Sequence, residues 1–545
     1  MTNQPVDSQS LTSKAPNLLL LNAKVITMAQ GQPIAQAVAV LGQKILAVGR
    51  NKELAALAGA NTRTIDCQGM TLLPGFNDAH CHLLATAATF QGVDCGPQVA
   101  TNILELQQAL SHRANELLQG NWLKGFGYDD LSLAEGRHPN RWDLDRAAPN
   151  HPIRLDHRSG HATVLNSLGL AQAGINRDTP DPTEGVIQRD DATGEPTGLL
   201  LEMGGFLSER LKNIRSEDDQ AEGVSRLNRR LLSYGITSTQ DAGPQNNPSR
   251  LAAFGELQES GLIAPRITMM AGSTFLMEFS AEGMAFGSGN QRLRLGHLKI
   301  MLTLTTGQLY PDFKTLSGLI VAARKKGFPV AIHAIETEAV VAAARAIGEV
   351  TIAQADQTGE EAHSRSSRPR DRIEHCSECP PEVAVLVKSS GAIAVTQPGF
   401  IYWNGDNYLD RVDPALLPWL YPAGSLSNAG VGVAFGSDAP VIDPNPWPGI
   451  YSAVTGLTRS GQSLRGDRNN GPAHYQVVPL TSALSMYTLG AAYAEGTEEF
   501  KGSIEPGKLA DLTLLDADVA GLDPSELMGV RAAKTIIEGR LVWES

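Results

Sequence analysis

Two histidines spaced one residue apart, His80 and His82, close the stretch Leu72 to Leu83, which reads LLPGFNDAHCHL. In an extended chain, residues i and i+2 project to the same face, so both imidazoles point together and Cys81 between them points away. Two neutral imidazoles converging at a strand end make half of a divalent metal site. The pair alone is weak evidence, since chance HxH spacings are common and mostly ordinary polar positions, and residues far downstream decide its meaning. His333 ends the run FPVAIH, His375 ends DRIEH, Asp438 comes after VGVAFG, and Lys299 lies inside HLKIML. Each has a bland reading: a hydrogen-bonded structural histidine, or, for Asp438, a helix cap. Their shared position at or near the ends of apolar runs favours one site.

Lys299 is the most informative of these. A strand of a parallel sheet is apolar on both faces, and a lysine buried there must be paired, neutralised or chemically changed. The functional reading is a carbamate, formed with carbon dioxide, that bridges two metal ions. The alternatives are a buried ion pair or a side chain that snorkels to the strand end. His297, two residues earlier, is expected on the same face, as a supporting group or itself a ligand.

The elements that carry these groups are read from pattern. Short, often β-branched runs occur at 76–80, 235–240, 265–271, 297–302, 328–333, 371–375, 392–396 and 431–436, with helical segments such as TLSGLIVAARKKG and ETEAVVAAARAIGEV between several of them. Alternating strands and helices predict a parallel sheet, and eight strands are the number that closes a (β/α)₈ barrel of the α/β class. Residues 75–91 and 211–499 are assigned to this barrel. The β-rich runs 18–28 and 37–48 are answered at the far end by 508–516 and 533–543, so 17–74 and 500–545 are expected to form one composite β-sandwich. Residues 1–16 are expected to be a disordered tail. The connection after the first barrel strand is far longer than an ordinary βα loop. It is read as an inserted subdomain, 92–210, placed over the face where barrel active sites form. Within it, GVIQRDDATGEPTGLLLE predicts two extended arms about a turn.

Composition narrows the class. A chain of 545 residues with 42% hydrophobic and 19% charged content is globular, and a formal net charge of −13 argues against nucleic acid as a partner. No apolar run reaches membrane-spanning length, and the polar N-terminal stretch lacks the basic and apolar parts of a signal peptide, so a cytoplasmic location is expected. Five cysteines in so long a chain are not a disulfide framework. Cys376 and Cys379 have CxxC spacing without a second pair, which reads as structural thiols.

The combination LLPGFNDAHCHL, VAIHAIE, DRIEHC and FGSDAP resembles the amidohydrolase superfamily. RHPNRWDLDRAAPNHPIRLDHRSGHATVLNSLGL and GEPTGLLLE are similar to its N-substituted formamide deformylase-like (YtcJ-like) branch, over about residues 17 to 545. The resemblance implies a metal-dependent hydrolase of amide-type C–N bonds that acts on a small molecule and forms a homodimer. It implies that His80, His82 and Asp438 hold one divalent metal, zinc being the expected ion, and that His333 and His375 hold another. N6-carboxylated Lys299 would bridge the two, and Asp438 would move the proton. The chain departs from the family after Lys299, where MLTLTTGQLYPDF replaces an acidic, Gly-rich stretch. That keeps open a mononuclear site of His80, His82, His375 and Asp438. Arg158 and His161, in HRSGH, match a recurrent element of the branch and are assigned to the substrate pocket or to a brace between insertion and barrel. Asp241 and Gln397, at strand ends, are expected to face the cavity, and Tyr402 and Trp403 to supply an apolar wall. The competing functions are a deaminase or cyclic amidase on the same barrel, and a non-catalytic regulatory or binding protein.

Overall fold

The computed structural model describes residues 15–183, 185–211, 217–305, 307–358, 370–465 and 476–545. All but Ala15 and Pro16 of the expected N-terminal tail therefore lies outside the described residues.

Eight strands succeed one another in sequence order around a single parallel sheet: β1 (Phe76–Cys81), β2 (Ile236–Asp241), β3 (Arg266–Gly272), β4 (Leu293–Met301), β5 (Val330–Ala334), β6 (Arg372–His375), β7 (Ile393–Thr396) and β8 (Val433–Phe435). Every residue of β3, β5, β6, β7 and β8 is buried. Burial on both faces favours apolar residues, which is why most of these sequences read as continuous runs, with Arg372 and Glu374 of β6 as charged exceptions. Beyond the strand ends the first and last strands join: the Asp438 N–H donates to the His80 carbonyl (2.7 Å) and the His82 N–H to the Ala439 carbonyl (2.8 Å). A Cβ at Gly436 would meet the His80 nitrogen at 2.6 Å, so only glycine permits this approach. The barrel is thus sealed by backbone groups of the residues that carry the chemistry.

Helices cover the barrel where the sequence supplies both caps and an apolar stripe. In Phe313–Lys325 the Asp312 carboxylate accepts from the Thr315 N–H at 2.8 Å, Leu316, Ile320 and Ala323 face inward, and Arg324 and Lys325 sit at the negative end of the dipole. Two further helices border the barrel mouth: α1 (Leu83–Thr89), which starts directly after His82, and α2 (Gly399–Arg411), which comes after β7.

At the chain ends, one four-stranded sheet takes Leu18–Leu21, Ala37–Leu41, Lys44–Gly49 and Arg63–Asp66, and a six-stranded sheet takes strands from both ends, Thr71–Pro74 pairing with Leu512–Leu515. Leu18, Leu20, Val25, Ile504 and Leu512 share the core between them. The run 18–28 is not one strand. Asn22, at φ 57°, breaks it so that Leu18–Leu21 and Lys24–Ile26 enter different sheets. The run 37–48 is likewise a hairpin turned at Gly42, whose φ is 62°.

The long connection after β1 forms a six-stranded mixed sheet in the order Val186–Arg189, Pro196–Leu201, Ala162–Leu165, Ile153–His157, Leu123–Tyr128, Val93–Asp94. Its own core includes Leu106, Leu110, Leu144, Leu155 and Val164. DATGE is a turn, closed by the Asp190 N–H donating to the Glu195 carbonyl. This layer lies against the carboxyl ends of the barrel strands: Thr305, past β4, donates to Glu202 (3.0 Å), and Asn407 and Arg411 of α2 donate to Ser132 (3.3 Å) and the Leu131 carbonyl (3.1 Å).

Barrel and sandwich are tied by a buried ion pair. Arg266 of β3, 3% exposed, donates to Asp511 through Nε (2.6 Å) and Nη2 (3.2 Å), and to Glu538 through Nη1 (3.4 Å). Removing one partner strands a buried charge. Asp511→Ala is expected to destabilise the protein by about 3–5 kcal/mol. An unchanged urea midpoint in that variant would show the pair to be dispensable.

Candidate metal centre

His80 is the penultimate residue of β1, and its ring is fixed from inside the barrel. Glu374 of β6 accepts from His80 Nδ1, and Arg372 on the same strand donates to Glu374, to Gln240 and to the Ala79 carbonyl. Arg372, Glu374 and His80 are fully buried. With Nδ1 carrying the proton toward Glu374, Nε2 keeps its lone pair and faces the centre. This is the arrangement in which an outer carboxylate sets the tautomer of a ligating histidine. Around that nitrogen lie Lys299 Nζ at 3.4 Å and Asp438 Oδ1 at 3.4 Å, while His82 Nε2 is 3.0 Å from the same Asp438 oxygen. Donor atoms of His80, His82 and Asp438 all lie within 4.8 Å of one another.

His375 stands across the centre, its ring 4.8 Å from that of His80 and 4.5 Å from that of His333. Gln397 accepts from His375 Nδ1 at 2.9 Å, which leaves Nε2 free. His375 and Asp438 adopt left-handed backbone, at φ 71° and 58°. Non-glycine residues hold such conformations at a cost of about 1–3 kcal/mol each, and only where the surrounding structure over-determines them. All six candidate ligands, His80, His82, Lys299, His333, His375 and Asp438, therefore meet at the carboxyl end of the barrel.

Burial dominates the proton affinities. It lowers the Lys299 ammonium to about 8, against the opposing charges of Glu374 and Asp438. It lowers His375 to about 4 and holds His80 and His333 well below the usual imidazole range. Burial works to raise the Asp438 carboxyl, but the hydrogen bond from His82 and the imidazoles of His375 and His80 outweigh it and keep it below the usual carboxylate range. The centre thus offers neutral imidazoles, an ionised carboxylate and an amine close to neutrality. This donor set suits a divalent cation such as zinc.

The other expected residues divide. His161 lies over the centre, its ring 5.5 Å from that of His333 and its Nδ1 2.9 Å from Glu202. Arg158 donates to Asp129 at 3.0 Å and stays within the inserted layer. Asp241 is committed to backbone and amide groups: it accepts from the Leu83 N–H (2.7 Å), the Gly243 N–H (3.3 Å) and Asn246 (2.7 Å), which braces the start of α1. His297 does not share a face with Lys299. A bulge in β4 between Leu295 and Leu298 inserts a residue, so the two-residue spacing no longer preserves the side. His297 instead donates to the Arg370 carbonyl at 2.9 Å and packs on Phe286. A second cluster of donor atoms, Asp129, Asp130 and His157, lies within the inserted layer, with His157 Nδ1 accepting the Ser159 N–H and His157 Nε2 3.1 Å from Asp130.

Sequence reasoning missed Glu374, Arg372 and Glu202. Arg372 and Glu374 are an i, i+2 charged pair inside an apolar strand, the same anomaly that marks Lys299. Asp78 was missed too; burial raises its carboxyl to about 6 against hydrogen bonds from Ser437.

Residues 63–543 match the model of the amidohydrolase family. The chain is 28% identical to the N-substituted formamide deformylase of Arthrobacter pascens, over 97% of this chain and 98% of that one. It is 28% identical to a putative amidohydrolase, YtcJ, of Bacillus subtilis, over 95% and 98%. Among solved structures, a metal-dependent hydrolase from Pyrococcus horikoshii superposes with a TM-score of 0.70 at 23% identity, over 93% of this chain and 99% of that one.

The electrostatics of the site can be tested in two ways. Glu374→Gln weakens the alignment of His80 and is expected to lower metal affinity by about 10–100-fold in competition with a chelator; unchanged affinity would show that Glu374 does not orient a ligand. In metal-free protein, His375 and His297 stay neutral down to about 4 and about 3, whereas in the unfolded chain they take up protons from 6.5 downward. The unfolded state then binds more protons, so stability is full above pH 6.5 and falls as pH drops. A denaturation midpoint that is flat between pH 6.5 and 4.5 would contradict this.

Proposed function

The chain belongs to the amidohydrolase family, and we propose that it hydrolyses the C–N bond of N-substituted formamides or related N-acyl amines at the centre bounded by His80, His82 and Asp438. The observation that carries the reading is an ionised Asp438 carboxylate set among neutral imidazoles at the barrel mouth. The formamide choice draws on the deformylase similarity over nearly the whole chain.

In this reading His80, His82 and Asp438 hold one divalent ion, zinc by donor chemistry, and His333 and His375 hold a second. Lys299 would join them as its N6-carboxylated form, since an amine lowered to about 8 is partly neutral at physiological pH and can add to carbon dioxide. When bound, the cation supplies Lewis acidity to the scissile carbonyl and makes a neighbouring water acidic near neutral pH. Asp438 accepts the proton of the attacking water and returns it to the leaving nitrogen, so amide and water become carboxylic acid and amine. Glu374 holds His80 in register, and Gln397 does the same for His375. His161, held by Glu202 and beside His333, closes the centre from the inserted layer.

A mononuclear site is the second reading. It is favoured by the tight convergence of only His80, His82 and Asp438, with His375 Nδ1 4.0 Å from Asp438, and it moves deaminase substrates forward.

Metal content by plasma mass spectrometry, paired with intact mass under non-acidic conditions, separates the two. Two ions per chain with a carbon dioxide adduct at Lys299 support the bridged centre, and one ion without adduct supports the mononuclear one. Asp438→Asn is expected to lower kcat on a formamide about 10²–10⁴-fold, and His80→Ala to lose bound metal. Turnover that persists in both variants would sink the mechanism.

A further inference from the structure

The inserted layer carries a second convergence of metal-type donors, on strands of its own. Leu123–Tyr128 and Ile153–His157 are parallel neighbours, with Tyr128 opposite His157 in register. Parallel neighbours end on the same side of a sheet. Asp129 and Asp130, which leave the first strand, therefore meet His157, which ends the second. Donor atoms of these three residues all lie within 4.8 Å of one another. His157 Nε2 is 3.1 Å from Asp130 Oδ1 and 4.0 Å from Asp129 Oδ1, yet it is buried and has no hydrogen-bond partner among the described residues. A buried nitrogen set beside two carboxylates and bonded to neither calls for a reason. Donors held about 2.0–2.2 Å from one zinc ion stand roughly 3–3.5 Å apart, and the His157–Asp130 pair already has that spacing.

We propose that Asp129, Asp130 and His157 form a cation site of the inserted layer, suited by its mixed nitrogen and oxygen donors to zinc or a similar divalent transition ion. Asp129 Oδ2 is held by Arg158 (3.0 Å) and Ser132 (2.9 Å), while Oδ1, on the side of His157, accepts the Leu131 N–H (3.1 Å) and keeps a lone pair. Two carboxylates against the one Arg158 guanidinium leave a net negative charge for a cation to balance. Ser159 serves His157 in both states. Its N–H donates to Nδ1 at 3.1 Å, and its hydroxyl oxygen lies 2.8 Å from the same nitrogen. When a cation takes the Nε2 lone pair, the ring proton moves to Nδ1 and that oxygen accepts it. His138, bonded through Nδ1 to Tyr128 OH (2.9 Å), stands 3.7 Å from Asp130 Oδ2 as an outer partner. The side chains of His138 and Asp130 are 29% and 19% exposed, so an ion can enter from that side. The loop that follows also docks the insertion on the barrel, because Ser132 and the Leu131 carbonyl receive Asn407 and Arg411 of α2. A cation at its start thus clamps the loop that joins the two parts.

This site is independent of the hydrolase reading, because it is measured as a difference in ion count between full-length proteins. Wild type, Asp130→Asn and His157→Gln are stripped with chelator, dialysed against micromolar zinc and compared by plasma mass spectrometry. Each variant is expected to hold one zinc ion per chain fewer than wild type, whatever number the barrel centre retains. An unchanged count in either variant overturns the site. Zinc is also expected to slow amide hydrogen exchange at residues 129–133 in wild type and not in the variants, and exchange there that ignores zinc in wild type overturns the clamp. Should a variant fail to fold, zinc-edge anomalous diffraction from wild-type crystals decides. A peak between Asp130 and His157 upholds the site, and no peak at that position overturns it.

Discussion

A buried carboxylate organises the interior of this barrel. Glu374 is enclosed on every side, and it stays ionised because Arg372 donates to it twice from the same strand while Lys299 lies within its field. Three charges in a low-dielectric interior are tolerable only as a balanced set. Without Glu374, Arg372 would keep only Gln240 and the Ala79 carbonyl as acceptors, the Lys299 ammonium would be further disfavoured, and His80 would lose the partner that fixes its tautomer. Ligand orientation, lysine reactivity and barrel stability therefore hang on one side chain.

The same economy holds at the mouth. The backbone bonds that seal β8 to β1 come from Asp438 and His82, so residues that close the fold also line the centre. His375 and Asp438 hold left-handed backbone just where the strands end. Strain of this kind persists only in a rigid frame, and the bottom of the barrel supplies one through Arg266, Asp511 and Glu538. The inserted layer meets the mouth through a few polar contacts, Glu202 with Thr305 and Ser132 with Asn407, while the apolar cores of the two parts remain separate.

Much of this is legible in the amino-acid order. The eight strands fall where short, often β-branched runs predict them, even though buried charges such as Arg372, Glu374 and Lys299 interrupt the apolar pattern. His80, His82, His333, His375, Asp438 and Lys299 all reach one centre, because strand ends of a barrel share a face whatever their separation in sequence. The turn at DATGE is likewise readable from composition. The failures have physical causes of the same kind. Strand alternation places His297 beside Lys299, and one extra residue in β4 sends it to Arg370. A strand-end position points Asp241 at the cavity, and instead it braces the first turn of α1. The β-rich run 18–28 is shared between two sheets, divided at Asn22, which the run's composition does not specify.

Residue order alone settles the chemical groups this protein brings to its centre and the elements that bear them, since hydrophobic period and residue type are local properties. Folding in three dimensions settles which atom of each group is left free. Whether His80 offers Nε2 and whether Asp241 is already bonded both depend on partners that local pattern cannot identify, some of them hundreds of residues away. Hydrogen bonds are short and directional. A bulge of one residue or a left-handed turn redirects them while leaving the hydrophobic pattern unchanged.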